Sequence, residues 1–309
     1  MNISIIIVNY NTTNYVEQLI NSIEKFLKNI INYEIIIVDN QSPDRSIEKL
    51  QRIYQNSSIK FIFLNKNYGF GYANNRGIEI AQNDYYLLLN PDTLFVDDSI
   101  KYLFNEFLRN NDWGIAGPKV LYMNGHVQET ALHYPNIRYE IYSLFGILSY
   151  IIRITKKLRR FIFRNKPYKT DFLFGSCLLI RKEVHNKIQG FDEDYFLFSE
   201  ETDYCYRVNK YTNFKVIYFP KATIYHKSGA ITKKFPYKRE WLGYNSKLIF
   251  INKHYSKPYS FFFRMAVIIL FYKKILMLKF HKKYNKEALK YYKKIIKTYK
   301  TNKPLINNV

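Results

Sequence analysis

Asp92 stands just past the apolar run Tyr85–Leu89, in the triplet Asn90-Pro91-Asp92. A carboxylate at the end of a buried strand is well placed to hold a hard cation such as Mg²⁺ or Mn²⁺. Such a cation bridges diphosphate oxygens and neutralises charge on a departing group. Taken alone, an Asp after Pro also suits a plain turn. Asp39 closes a second apolar run, Ile35-Ile36-Ile37-Val38-Asp39-Asn40-Gln41-Ser42. Its carboxylate could accept the ring N–H of a pyrimidine base, or cap the helix after Pro43, a task also open to Ser42 and Asp44.

Asn67-Tyr68-Gly69-Phe70-Gly71 is a glycine-containing loop leading into Ala73-Asn74-Asn75-Arg76-Gly77. Small residues there let backbone approach a ligand, and Asn75 and Arg76 could reach phosphate or ribose; a turn and helix start explains the same residues. Phe191-Asp192-Glu193 and Glu200-Glu201-Thr202-Asp203 form the densest acidic cluster. Neighbouring carboxylates raise one another's pKa, so a desolvated member could act as a general base, while a solvated acidic loop is the alternative. His226, beyond a late strand, is a candidate metal ligand or a structural histidine.

The elements that must position these residues follow from periodicity. Ile3–Val8, Glu34–Asp39, Ile59–Leu64 and Tyr85–Leu89 read as short buried strands, and Asn14–Asn29, Arg45–Gln55 and Tyr72–Ala81 as the helices between them. This alternation predicts βαβ units, an α/β fold and a mainly parallel central sheet. Ligands of such sheets sit at the carboxyl ends of the strands. Asn9-Tyr10-Asn11, Asp39-Asn40, Asn65–Tyr68 and Asn90-Pro91-Asp92 are therefore expected along one crevice. A helix at Ser99–Arg109, strands at Trp113–Pro118, Phe172–Ile180 and Val216–Phe219, and a short helix at Arg181–Ile188 follow.

Charge is unevenly placed. Residues 141–170 hold eight Lys/Arg and no acid, and residues 231–309 hold twenty against two; the remainder has twenty basic and twenty-three acidic residues. A near-neutral body with basic attachments argues against an evenly basic nucleic-acid binder and for contact with an anionic surface such as a membrane. Leu144, Ile147/Leu148, Ile151, Ile154, Leu158 and Phe161/Ile162 form one apolar stripe among Arg153, Lys156, Lys157, Arg159 and Arg160. Ala288, Tyr291/Tyr292, Ile295/Ile296 and Tyr299 form another. Both suit a membrane interface, or docking on the body with the lysines solvated. Phe261–Tyr272, apolar except for Arg264, is too short for a spanning helix. Two cysteines, Cys177 and Cys205, offer no disulfide framework and suit a reducing cytosol. The start, Ile3–Val8, reads as a strand and not a signal peptide, so the acceptor-like sequons at Asn11 and Asn56 are taken as chance.

The order of these motifs resembles the family-2 glycosyltransferases, closest to the rhamnosyltransferase-like branch. It is carried by Ile5-Ile6-Ile7-Val8-Asn9-Tyr10-Asn11, Val38-Asp39-Asn40-Gln41-Ser42, Asn67-Tyr68-Gly69-Phe70, Asn74-Asn75-Arg76-Gly77 and Leu88-Leu89-Asn90-Pro91-Asp92. Gly175-Ser176-Cys177, Gly190-Phe191-Asp192-Glu193, Glu200-Glu201-Thr202-Asp203 and His226-Lys227-Ser228-Gly229 agree, so that residues 1–255 are covered. The resemblance implies a GT-A fold, an inverting transfer and a nucleotide-diphosphate donor. By analogy Asp39 binds the base, Asp92 holds the divalent metal and His226 is a second ligand. Asn9, Tyr10, Asn11, Asn67, Gly69, Asn75, Arg76 and Asn90 complete the donor site. The general base of the Glu-Asp-x-Asp motif falls on Glu201, which replaces its Asp, or on Glu200, and Asn90 replaces the first Asp of Asp-x-Asp.

The resulting expectation is a GT-A catalytic domain over 1–240, with a basic insertion at 141–170, and a basic helical extension over 241–309. Its partners would be a dTDP-rhamnose donor (or a UDP-hexose) and a glycan or lipid-linked glycan acceptor at the cytoplasmic face of a bacterial membrane, with no nucleic acid. A non-enzymatic basic adaptor leaves the ordered motifs unexplained. A processive polysaccharide synthase would carry a Gln-x-x-Arg-Trp motif, where this chain has Lys238-Arg239-Glu240-Trp241.

Overall fold

The structure is a computed structural model describing residues 2–55, 58–147, 150–152, 154–155, 158, 165–228, 235–280 and 285–306. The sequon at Asn56, Gly229, and Leu148, Arg153, Lys156, Lys157, Arg159, Arg160, Phe161 and Ile162 of the first basic stripe lie outside these residues. The chain forms two compact units. One comprises 1–133, 165–193 and 200–230; the other comprises 134–164, 194–199 and 231–309.

The first unit is built on a twisted sheet of β1 (Asn2–Asn9), β2 (Asn32–Asp39), β3 (Ile59–Phe63), β4 (Tyr85–Leu89), β5 (Thr93–Leu94), β6 (Trp113–Leu121), β7 (Val127–Gln128), β8 (Ala131–Leu132), β9 (Tyr168–Lys169), β10 (Phe172–Leu173), β11 (Cys177–Arg181) and β12 (Lys215–His226), with β8 and β10 paired separately. The central order is β3-β2-β1-β4-β11-β6-β12-β5. Strands β3, β2, β1, β4, β6 and β12 all point one way, and β11 runs antiparallel between β4 and β6. Ile5, Ile6, Ile7, Ile36, Ile37, Leu87 and Leu88 are fully buried, as near-continuous apolar runs in a sheet covered on both faces must be.

Helices cover the sheet because their apolar positions recur at helical spacing. In α1 (Thr13–Leu27), Val16, Leu19, Ile20, Ile23 and Leu27 are buried; each fully buried side chain contributes roughly 1.5–3 kcal/mol. Alanine at Ile20 would cost about 2–5 kcal/mol through the cavity left behind. α2 spans Ser46–Ile53, α3 spans Phe70–Glu79 and α4 spans Ile100–Arg109. A Cβ at Gly77 of α3 would lie 2.7 Å from Ile6 Cγ2 and 3.1 Å from Val38 Cγ2, so this glycine sets how closely α3 approaches β1 and β2.

One expected strand is divided. The stretch 172–180 breaks at Phe174–Ser176: Phe172–Leu173 pairs with β8, and only Cys177–Arg181 enters the central sheet. Conversely, β12 runs seven residues beyond the expected Phe219, through an irregularity between Phe219 and Thr223, and ends on β5.

The second unit is helical: α5 (Ile137–Leu144), then, after α6 (Lys182–Lys187) and α7 (Glu200–Tyr211) of the first unit, α8 (Pro236–His254), α9 (Lys257–Phe280) and α10 (Lys286–Thr301). The stripe Ala288, Ile295, Ile296 and Tyr299 faces inward and is buried, with the Tyr299 hydroxyl donating to Tyr244 O at 2.9 Å. Buried Glu140 is satisfied by Lys247 at 2.6 Å and the Tyr244 hydroxyl at 3.1 Å, as a buried charge requires. Among the described residues no helix is long and apolar enough to cross a membrane.

Candidate active site

Sheet register places the polar strand ends side by side. Asn9 is the register partner of Asp39, Ile7 of Leu89, and Leu89 of Cys177. Asn90 N–H donates to Ser176 O at 3.1 Å. Asp39, Asn9, Asn90 and Ser176 thus follow one another along the carboxyl edge of β2, β1 and β4 and the adjoining start of β11. The next link is Glu201, whose carboxylate accepts from the Gly175 backbone N–H.

At the first position Asn9 Nδ2 donates to Asp39 Oδ1 at 2.7 Å and to Ser42 Oγ at 3.1 Å. Ser42 Oγ donates to Asp39 Oδ1 at 2.6 Å, and Ser42 N–H to Oδ2 at 2.9 Å. The Asp39 carboxylate is buried and held rigid by neutral donors. Asn11, at φ +53°, donates its N–H to Ser42 Oγ at 2.9 Å, and Tyr10 beside it is half-buried. Asn40 ties in the next loop, donating to Asn67 Oδ1 at 2.9 Å and Gly69 O at 3.1 Å, while Gly69 takes φ +94° at the start of α3. Such φ values favour glycine.

The pairing of β12 with β5 sets His226 opposite Thr93 and brings its Nε2 to 3.1 Å from Asp92 Oδ1. His226 Nδ1 lies 2.9 Å from Gln128 Oε1, an acceptor, a contact that is a hydrogen bond in the tautomer with Nδ1 protonated. Nε2 then offers a lone pair towards the Asp92 carboxylate, with Asn90 Nδ2 at 3.4 Å. Two acceptors converging at a mostly buried point, with the second histidine nitrogen fixed by a hydrogen bond, form a donor set suited to a divalent cation. No group of three or more His, Cys, Asp or Glu converges among the described residues. Two protein ligands leave coordination positions open for ligand oxygens, as Mg²⁺ sites commonly do. A cleft of about 150 Å³ opens here, lined by Tyr15, Gln18, Pro91, Asp92, Thr93, Leu94, Met123 and Lys227. Lys227 Nζ reaches the Tyr15 hydroxyl at 2.7 Å. A larger depression, about 460 Å³ around Tyr102, Lys119 and Lys221, contains none of these residues.

Glu200 and Glu201 occupy the first turn of α7, both about 95% buried. One carboxylate oxygen of each, Oε2, is buried with no hydrogen-bond partner. Burial pushes Glu201 up to about 7, its Gly175 hydrogen bond acting in the opposite sense. Burial raises Glu200 well above the carboxylate range, and the Glu201 charge raises it further. Asp203, fully buried, is instead ion-paired with Arg207 at 2.6 Å. Phe198 and Ser199, just before the helix, both take left-handed φ, +69° and +66°, strain of the kind that gathers at functional sites.

Asn75 and Arg76 are engaged elsewhere. Asn75 Nδ2 donates to Phe191 O at 2.9 Å and Glu193 Oε1 at 3.0 Å, and Arg76 pairs with Glu79 at 2.7 Å and Glu193 at 3.1 Å. They clamp α3 to the loop before α7 and do not join the strand-end line. Ser42, in sequence an alternative helix cap, instead fixes the Asp39 carboxylate, while Gly175 and Lys227, legible only as parts of longer motifs, and Gln128, which belongs to none, gain their places from the fold. Only Ser42 and Lys227 sit beside a chosen residue; Gln128 and Gly175 are brought in by strand pairing.

A six-strand parallel set interrupted by the reversed β11 and edged by the antiparallel β5, with a carboxylate just past the end of β4, is the sheet of a GT-A nucleotide-sugar transferase fold. The chain belongs to glycosyl transferase family 2, whose model matches residues 4–189, and is a glycosyltransferase. It is 26% identical over 234 residues to an N-acetylglucosaminyl-diphospho-decaprenol L-rhamnosyltransferase of Mycobacterium tuberculosis, spanning 72% of this chain and 75% of the relative. It is 27% identical over 216 residues to the rhamnosyltransferase WbbL of Escherichia coli, spanning 66% and 76%. The fold matches a mannosyltransferase from Pyrobaculum calidifontis, solved with GDP-Man and Mn²⁺, at TM-score 0.60 and 11% identity over 97% of this chain and 87% of that one.

Proposed function

We propose that this enzyme transfers rhamnose from dTDP-rhamnose, with inversion, to a lipid-linked glycan during bacterial surface polysaccharide synthesis, working from the inner face of the membrane. The observation that carries the reaction type is Glu201: a buried carboxylate with one unpartnered oxygen, raised to about 7, next to the strand-end line. A base so poised takes a proton from a hydroxyl near neutral pH. The acceptor oxygen then attacks the anomeric carbon from the face opposite the diphosphate. The new C–O bond forms as the bond to the diphosphate oxygen breaks, the electron pair leaves with the diphosphate, and the proton stays on Glu201. Glu200, raised by burial and by the Glu201 charge, disfavours a second negative charge on the pair. Asp39 receives the pyrimidine N–H, with Asn9 and Ser42 fixing its orientation.

Asp92 and His226 would hold a divalent ion, Mg²⁺ or Mn²⁺; when bound it supplies positive charge to the diphosphate. Lys227, in the cleft beside Asp92, adds a second cation there. The rhamnose and lipid-diphosphate assignments are supported by what the bacterial relatives are named for. The test is a donor panel of dTDP-rhamnose, UDP-hexoses and UDP-N-acetylhexosamines with Mn²⁺ and a prenyl-diphosphate N-acetylglucosamine acceptor. Turnover of dTDP-rhamnose with inverted configuration is expected. Turnover of a UDP-sugar alone would transfer the assignment to that donor.

A further inference from the structure

The first unit has 21 Lys/Arg and 21 Asp/Glu, whereas the second has 27 Lys/Arg and 4 acids, so the whole net charge of +23 resides in the second. Three of those four acids are already paired, Glu140 with Lys247, Asp194 with Lys253 and Glu240 with Lys274. Within this unit α9 is apolar on two sides. Its inner side is buried at Phe263, Val267, Leu270 and Phe271. Its outer side presents Phe262, Met265, Ile269, Tyr272 and Leu276, each 40–61% exposed. The spacing is i, i+3, i+7, i+10, i+14, one continuous face about 21 Å long. The Tyr272 ring is exposed while its hydroxyl accepts from Lys300 at 2.7 Å, the wet tip and apolar body of a residue suited to an interface. Alongside, Lys273 Nζ donates to Leu144 O at 2.5 Å, where the chain continues into exposed Phe145 and Ile147.

Single exposed apolar residues are ordinary, but an aligned face of five large ones marks a contact surface. We propose that this outer face of α9 lies flat in the headgroup region of a bilayer bearing anionic lipid. The charge of the unit selects the occupant. A second copy would bring one strongly cationic unit against another, whereas anionic headgroups complement it. The helix is not long and apolar enough to cross, which fits an in-plane orientation. This goes beyond the proposed transfer and rests on it only for purpose, since binding is measured without donor or acceptor.

The experiment is flotation of the full chain with vesicles of equimolar phosphatidylcholine and phosphatidylglycerol. The triple variant Phe262→Asn, Ile269→Asn, Leu276→Asn should partition roughly ten-fold or more weakly, with unchanged transfer to a water-soluble acceptor. A second variant avoids loss of apolar area: Ile269→Trp adds an exposed indole to a chain whose Trp113 and Trp241 are buried. Its emission should shift to the blue on these vesicles and be quenched by brominated acyl chains. Wild-type partitioning by the triple variant, an unquenched indole on bound vesicles, or a soluble wild-type dimer that the triple variant dissociates would each overturn the proposal.

Discussion

The two units handle polar and apolar groups in opposite ways. In the first, net charge is zero and the informative groups are buried polar ones: Asp39, Asn9, Glu200, Glu201 and His226. In the second, net charge is +23 and the informative groups are exposed apolar ones on α9. Burying a carboxylate without full hydrogen bonding costs stability, and exposing a row of Phe, Met, Ile and Leu forgoes it. Each departure falls where a ligand, rather than the fold, would supply the missing partner.

Substitutions can break that division. The largest effect is expected from Glu201→Gln, which should slow transfer by roughly 10²–10⁴-fold while leaving donor affinity and vesicle flotation unchanged; stopped assays, calorimetry and flotation read the three. Asp92→Asn should weaken Mn²⁺-dependent donor binding by roughly 10–100-fold, detected by calorimetry with and without Mn²⁺, again without effect on flotation. Gln128→Leu, which frees His226 Nδ1, should give a smaller loss in the same titration, near the lower end of that range.

A thermodynamic consequence is smaller still. Glu201 is raised in the folded state, so its contribution to stability is complete below the ordinary carboxylate value and is lost as pH rises to about 7. Glu201→Gln removes that titration and should therefore stabilise the protein on the alkaline side by on the order of 3 kcal/mol. Chemical denaturation at acid and alkaline pH would show the gap between wild type and variant opening as pH rises.

The strand ends were legible because buried parallel strands are β-branched runs stopping at polar residues; β1, β2 and β4 coincide with their expected runs to within two residues. What joins the site was not. β5 and β7 are two residues each, too short for any periodicity, yet one sets His226 beside Asp92 and the other carries Gln128. The engagement of Asn75 and Arg76 by Glu193 spans more than 110 positions, for which local pattern holds no signal. In α10 an apolar stripe flanked by lysines fits lipid or protein equally, and here protein covers it. In α9, residues apolar all round gave no indication of which side would remain open.

Transfer depends on Glu201 as the base. Its most direct test is the pH dependence of single-turnover transfer with donor saturating. Because the carboxylate must be ionised to take the proton, the rate should climb with pH and level off above an apparent value near 7. The slow residual rate of Glu201→Gln should lack that limb. A wild-type rate independent of pH through this range, or a Glu201→Gln profile that keeps the limb, would contradict it.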